Sequence, residues 1–172
     1  MPKVREDSVT TLDQTPSLPT GYHSILEEIK SKIKEAQSRA LISVNRELIA
    51  VYWEIGKTIY NQQQLESWGT AVVEQFAKDL QNSFPGAKGY SARNLWIMRD
   101  LYRSYQDNPK LQTLSAEISW SHNVLILEKC KDPLEREFYM RMSKRNGWSY
   151  RVLVEEDRRA SLFECELKGA QS

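Results

Sequence analysis

SARNLWIMRDLYRSY, residues 91–105, follows the turn Pro85-Gly86-Ala87-Lys88-Gly89-Tyr90 and reads as the helix around which the chain is organised. Proline and two glycines end whatever precedes it, and Ser91 carries the short hydroxyl that caps a helix N-terminus. On a helical wheel, Leu95, Ile97, Met98, Leu101, Tyr102 and Tyr105 share one arc, with Asn94 among them. Arg93, Trp96, Arg99, Asp100 and Arg103 fall on the opposite arc. One face is fit for a core. The other sets three arginines around a tryptophan, which suits a polyanion because guanidinium pairs with phosphate or guanine edges and indole packs on sugar or base. It equally suits a surface helix whose Arg99 and Arg103 meet neighbouring carboxylates and whose Trp96 packs on another helix.

Upstream, an apolar stripe with steps of three or four residues runs through Ile25, Ile29, Ile33, Ala36 and Ala40. It continues through Val44, Leu48, Val51, Ile55 and Ile59, with no proline or glycine before Gly56. The mean step of roughly 3.8 residues is nearer a straight helix than a left-handed coiled coil. The stripe predicts one long helix, or two nearly collinear ones with a joint near 38–43. It cannot bury itself alone and needs several other helices or a second copy. Residues 61–64 and Ser67-Trp68-Gly69 read as a polar connector, after which Thr70 is expected to cap a short helix ending at Phe84-Pro85-Gly86.

Beyond the central helix, Leu111, Leu114 and Ile118 predict a short helix, and Ser119 or Ser121 caps a leucine-rich one up to Lys129. Asp132 with Pro133 behind it is a strong helix start, and Asn146-Gly147 a strong stop. Ser149 then caps a last helix from Tyr150 to about Phe163. Nothing alternates with period two for long, so the fold class is all-α: a long N-terminal helix with a bundle of shorter ones. Residues 1–20, with three prolines and four threonines, read as a disordered leader, 21–165 as the helical domain and 166–172 as a tail.

Lys+Arg 24 against Asp+Glu 23 leaves a net charge of +1, so nucleic-acid binding would have to come from local asymmetry. Such asymmetry is present around Asn146-Gly147-Trp148-Ser149, a short glycine-containing turn between helices of the helix-turn-helix kind. Arg141, Lys144 and Arg145 precede that turn; Tyr150, Arg151, Arg158 and Arg159 follow it. An ordinary helical hairpin, with Glu155, Glu156 and Asp157 neutralising the arginines, fits the same pattern. The pair of helices around Lys88 could form a second unit, though its connector is longer than usual. Glu166-Leu167-Lys168 matches half of a PD-(D/E)XK nuclease motif, but no upstream aspartate on a strand accompanies it, and it reads as chance. His23 and His122 are isolated, and Cys130 and Cys165 lack CxxC spacing and suit free thiols in a reducing cytoplasm. No metal, cofactor or membrane association is expected, and the chain reads as cytoplasmic and soluble.

Three stretches together carry a family resemblance: VNRELIAVYWEIGKTI (44–59), WGTAVVEQFAKDLQNSFPGAKGYSARNLWIMRDLY (68–102) and SWSHNVLILEKCKDPLEREFYMRMSKRNGWSYRVL (119–153). Over about residues 22–165 the chain resembles the N-terminal helical domain of the YhcG-like proteins, a domain of unknown function. The resemblance implies a winged-helix or helix-turn-helix-like DNA-binding module that precedes a PD-(D/E)XK nuclease domain, in proteins associated with mobile elements and restriction-type defence. It places the nuclease carboxylates beyond Ser172, so the chain is expected to be non-catalytic. Leu162-Phe163-Glu164-Cys165 departs from the family's Tyr-Glu-Arg-like ending. The expected ligand is DNA, contacted by Lys88, Arg93, Trp96, Arg99, Arg103, Arg145, Tyr150, Arg151, Arg158 and Arg159. The alternative is a helical scaffold that pairs with a second copy or docks a separately encoded PD-(D/E)XK nuclease.

Overall fold

The computed structural model describes residues 19–169, and side chains as far as Ala160. Most of the expected leader, the last residues of the expected tail and the side chains of Cys165, Glu166 and Lys168 lie outside the described residues. Seven helices and no strand occur among those described: α1 (Tyr22–Leu65), α2 (Thr70–Ser83), α3 (Ala92–Tyr105), α4 (Pro109–Ser115), α5 (Trp120–Lys129), α6 (Pro133–Asn146) and α7 (Tyr150–Gly169). With no strand among them, these residues supply helices and turns but no wing.

The chain divides into two compact units, residues 1–38 and residues 39–172. In the first, α1 starts after Gly21, whose φ of +89° suits glycine, and the Tyr22 amide donates to the Pro19 carbonyl. Lys30 pairs with Glu27 and Lys32 with Glu28 along its exposed surface. Tyr22, Ile25, Ile29 and Ile33 are exposed as well.

In the second unit, α3 belongs to two apolar clusters at once, as its arc of Leu95, Ile97, Met98, Leu101 and Tyr105 requires. Leu95 and Met98 join Ile49, Tyr52 and Ile59 of α1 and Val73 and Ala77 of α2. Ile97, Leu101 and Tyr105 join Leu111 and Leu114 of α4, Leu125–Leu127 of α5, Tyr139 and Met140 of α6 and Leu153 of α7. Cys130 is buried in the second cluster, and burial pushes its thiol up to about 12. It is a packed, protonated thiol.

The helix boundaries follow from capping chemistry. Ser91 accepts from the Asn94 amide, Asn108 from Leu111, Ser119 from His122, and Asp132 from Leu134 and Glu135. Gly147, at φ +60° and ψ +37°, closes α6 in the left-handed conformation. Three expectations are corrected. Thr70 does not cap α2; Gly69 occupies the N-cap and Thr70 is the first helical residue. Residues 61–64 are not a connector, because α1 stays helical to Leu65: long amide side chains lose little rotamer freedom in a helix. Finally, α7 runs past Phe163 to Gly169. No helix among the described residues is long and apolar enough to cross a membrane.

Candidate nucleic-acid interface

The outer arc of α3 is less open than its sequence suggests. Trp96 is half-buried and packs on the cluster shared with α1 and α2. The Arg99 guanidinium lies 4.8 Å over the Trp96 ring, and its Nη1 donates to Gln63 Oε1 of α1 at 3.0 Å. Its Nε stands 2.8 Å from Asp100 Oδ1, an ion pair without hydrogen-bond alignment. Asp100 also meets Arg103 at 3.4 Å. Arg99 thus ties α3 to α1, with one fifth of its side chain exposed. Arg93 is exposed and reaches Glu128 of α5 at 2.8 Å. On this face the surface-helix alternative accounts for most of the arginines.

On α7, Arg158 bonds Glu155, and Arg159 meets Glu155 and Glu156. Tyr150, Arg151 and Lys88 are exposed. Among the described residues, no hydrogen bond or ion pair joins Lys88, Tyr150 or Arg151 to another expected contact residue.

A denser basic cluster forms where α4 and α6 pack together. Glu117, just after α4 and 17% exposed, is approached by Lys144 at 2.7 Å and by Arg46 of α1 at 3.6 Å. Glu137 of α6, 18% exposed, is approached by Arg141 at 2.7 Å and Lys110 at 2.8 Å. Beside them lies a cavity of about 390 Å³ lined by Leu114, Arg141, Met142, Lys144 and Arg145. Four cations therefore approach two carboxylates, and Arg145 adds a fifth positive charge on the cavity wall, so the cations outnumber the carboxylates by three. Each carboxylate serves two cations, so the long side chains are held in place while their outer surfaces stay open. Arg141, Lys144 and Arg145 are legible as a basic run before the turn. Arg46, Lys110, Glu117 and Glu137 are not, since only the packing of α1 and α4 on α6 brings them there.

The turn that leads from α6 to α7 is itself tied down. His122 of α5 bridges Ser119 Oγ, at 2.5 Å from Nδ1, and the Trp148 carbonyl, at 2.8 Å from Nε2. A carbonyl only accepts, so Nε2 carries a proton toward it. Ser149 accepts from the Val152 amide and starts α7.

Hydrogen bonds from Lys110 and Arg141 hold the Glu137 carboxyl below the ordinary glutamate range. A carboxylate with a lowered native pKa contributes stability above its unfolded pKa, and that contribution is lost as pH falls through the native value. Melting temperatures taken between neutral pH and pH 3 should therefore fall more gently below the ordinary value of 4.5 in Glu137→Gln than in the parent. Parallel profiles would show that the pairing does not persist in solution.

Among the described residues, no group of three or more His, Cys, Asp or Glu side chains could hold a metal ion. What the described residues define is a helical domain with a buttressed basic cleft beside a tied interhelical turn. The family model of the DUF1016 N-terminal domain matches residues 28–164, and the chain belongs to that family. It is similar to a protein of Escherichia coli (strain K12) named "Putative nuclease YhcG", at 31% identity over 103 residues. The match covers 58% of this chain and 27% of that relative, so the chain spans well under half of the relative's length. No solved structure matches it.

Proposed function

We propose that the domain is a non-catalytic DNA-binding module of a nuclease or restriction-type system, which positions duplex DNA for a PD-(D/E)XK nuclease. The observation that carries this reading is the basic cleft of Arg46, Lys110, Arg141, Lys144 and Arg145, pre-set by Glu117 and Glu137. Fixed cations with open outer faces suit phosphate contact, because little side-chain entropy is left to lose on binding. Arg141, Lys144 and Arg145 of the cleft lie in the C-terminal half of α6, and in this reading α6, Gly147-Trp148-Ser149 and α7 act as a helix-turn-helix-like unit. In this reading Arg145, Tyr150 and Arg151 contact the duplex, with Lys88, Arg93 and Arg103 as a second site. Arg99 and Trp96 support α3 from within.

The test is anisotropy of a labelled duplex titrated with the protein at several salt concentrations. Binding should weaken steeply with salt. Replacing Arg141, Lys144 and Arg145 together by alanine should lower the log–log salt slope by roughly 2–3 and the affinity on the order of 100-fold. Binding that is absent in the parent, or unchanged in the triple variant, overturns the reading. Supercoiled plasmid in the same protein with Mg²⁺ or Mn²⁺ should stay intact.

A further inference from the structure

The outer face of α6 joins two chemistries on one arc. Counted at about 100° per residue, Leu134, Phe138, Arg141 and Arg145 fall within about 60° of one another. Leu134 is 76% exposed and Phe138 53%, on a helix whose other side is buried at Tyr139, Met140 and Ser143. The acids of α6 do not interrupt the arc. Glu137 is covered by Lys110 and Arg141, and Glu135 lies further round the helix.

The Phe138 ring is also braced. It meets Tyr139 edge to face, with centroids 5.3 Å apart and planes at 79°, and Tyr139 is itself buried. Such a contact uses at most one face of the ring, and with half of the side chain exposed the other face is open.

We infer that this arc is a stacking site for an unpaired nucleotide, its base on the open face of Phe138 beside Leu134 and its phosphates on Arg141 and Arg145. The inference rests on the DNA-binding reading above and adds that the strand held by the cleft is single-stranded where it crosses α6.

Charge and size commit the face to that occupant. Phe138 precedes Arg141 by three residues and Arg145 by seven, or roughly 4.5 and 10 Å along the helix axis. A base and its own flanking phosphates cover that span, so one nucleotide can meet the ring and a guanidinium together. Lys110 and Lys144 add their charges on the adjoining cleft, which complements a polyanion. The exposed apolar surface of Leu134 and Phe138 is on the order of 200 Å², far below the ~800 Å² per partner of a stable protein interface. It suits the flat face of one or two bases. Within a duplex both faces of a base are taken by its neighbours, so only an unpaired base is free to stack on the ring.

Anisotropy of the full chain with three labelled DNAs tests the assignment: a blunt duplex, the same duplex with a short single-stranded overhang, and the single strand alone. The overhang should raise affinity about tenfold over the blunt duplex, the effect of one base stacked on an aromatic ring. Phe138→Ala and Phe138→Leu should both abolish that gain while the blunt duplex binds as it does to the parent. Phe138→Trp should keep it, since an indole offers a larger face. Circular dichroism at the assay temperature checks that each variant is folded. An overhang that adds nothing, or a gain that survives Phe138→Ala, overturns the inference and leaves duplex binding by the cleft standing. A gain kept by Phe138→Leu overturns it too, because apolar contact without an aromatic face would then suffice. No binding to any of the three DNAs overturns both readings, whereas single-strand binding that needs Phe138, without duplex binding, upholds this one alone.

Discussion

Gly56→Ala should be among the most damaging single-methyl additions available in this chain. A Cβ at position 56 would stand 2.1 Å from the Met98 carbonyl oxygen and 2.5 Å from its carbon. Both atoms belong to the backbone of α3, so no rotamer change relieves the overlap. The helices α1 and α3 would have to separate, and that separation loosens Ile59, Leu95 and Met98, all fully buried in the cluster between them. Because the overlap is with backbone, the cost lies at the upper end of the overpacking range, about 3 kcal/mol, against a helix-propensity gain for alanine over glycine of about 1 kcal/mol. The net loss should be about 2 kcal/mol, which for a domain of this size lowers the melting temperature by roughly 4–8 °C. Gly69→Ser is the matched comparison. Position 69 is the N-cap of α2 with nothing within 4 Å of a Cβ, and a serine hydroxyl there can take a cap bond. It should melt at or slightly above the parent temperature. If Gly56→Ala melts with the parent, the close crossing of α1 and α3 is not present in solution.

That crossing shows what could and could not be read in the sequence. The all-α class follows from periodicity alone, and the caps at Ser91, Ser119 and Asp132 follow from residue chemistry within three or four positions. Such features are local. Gly56 reads locally as an interruption in a long helix, and its purpose appears only when Met98, 42 positions later, lies against it. The same limit governs the basic surfaces. A helical wheel places Trp96 and Arg99 outside because it counts one helix, whereas Gln63 and the α1–α2–α3 cluster enclose them from another. The cleft around Glu117 and Glu137 escapes a sequence reading for the opposite reason, since its cations come from positions 46, 110, 141, 144 and 145. The apolar stripe of α1 was legible in full. That so much of it is exposed was not, because periodicity shows a face that needs cover without showing what supplies it.

Asn123→Leu should destabilise the domain although it replaces a buried polar group by an apolar one of similar size. Asn123 is fully buried in a region otherwise packed with Leu125, Ile126 and Leu127. Its Nδ2 donates to the Ser115 carbonyl at 2.8 Å and the Ser119 carbonyl at 3.1 Å, with Ile118 at 3.5 Å. Those carbonyls belong to the end of α4 and the link to α5, where helical partners run out. Asn45 of α1 reaches the same link, donating to the Ile118 carbonyl at 2.8 Å. The two asparagines do the work of a missing turn of helix. Removing Asn123 leaves the Ser115 carbonyl without that donor in a dry site, and each such loss costs about 1–3 kcal/mol. The Asn123 carbonyl oxygen has no partner of its own, and deleting it returns part of the loss. The net expectation is about 2 kcal/mol, read as a lower urea midpoint with an unchanged m-value. Because Glu117 sits in that link, the damage should reach function as well. In the DNA titration Asn123→Leu should weaken binding several-fold even at temperatures where it remains folded, while Asn45→Leu should do so less. Full affinity in folded Asn123→Leu would mean that the cleft does not depend on the α4–α5 link for its shape.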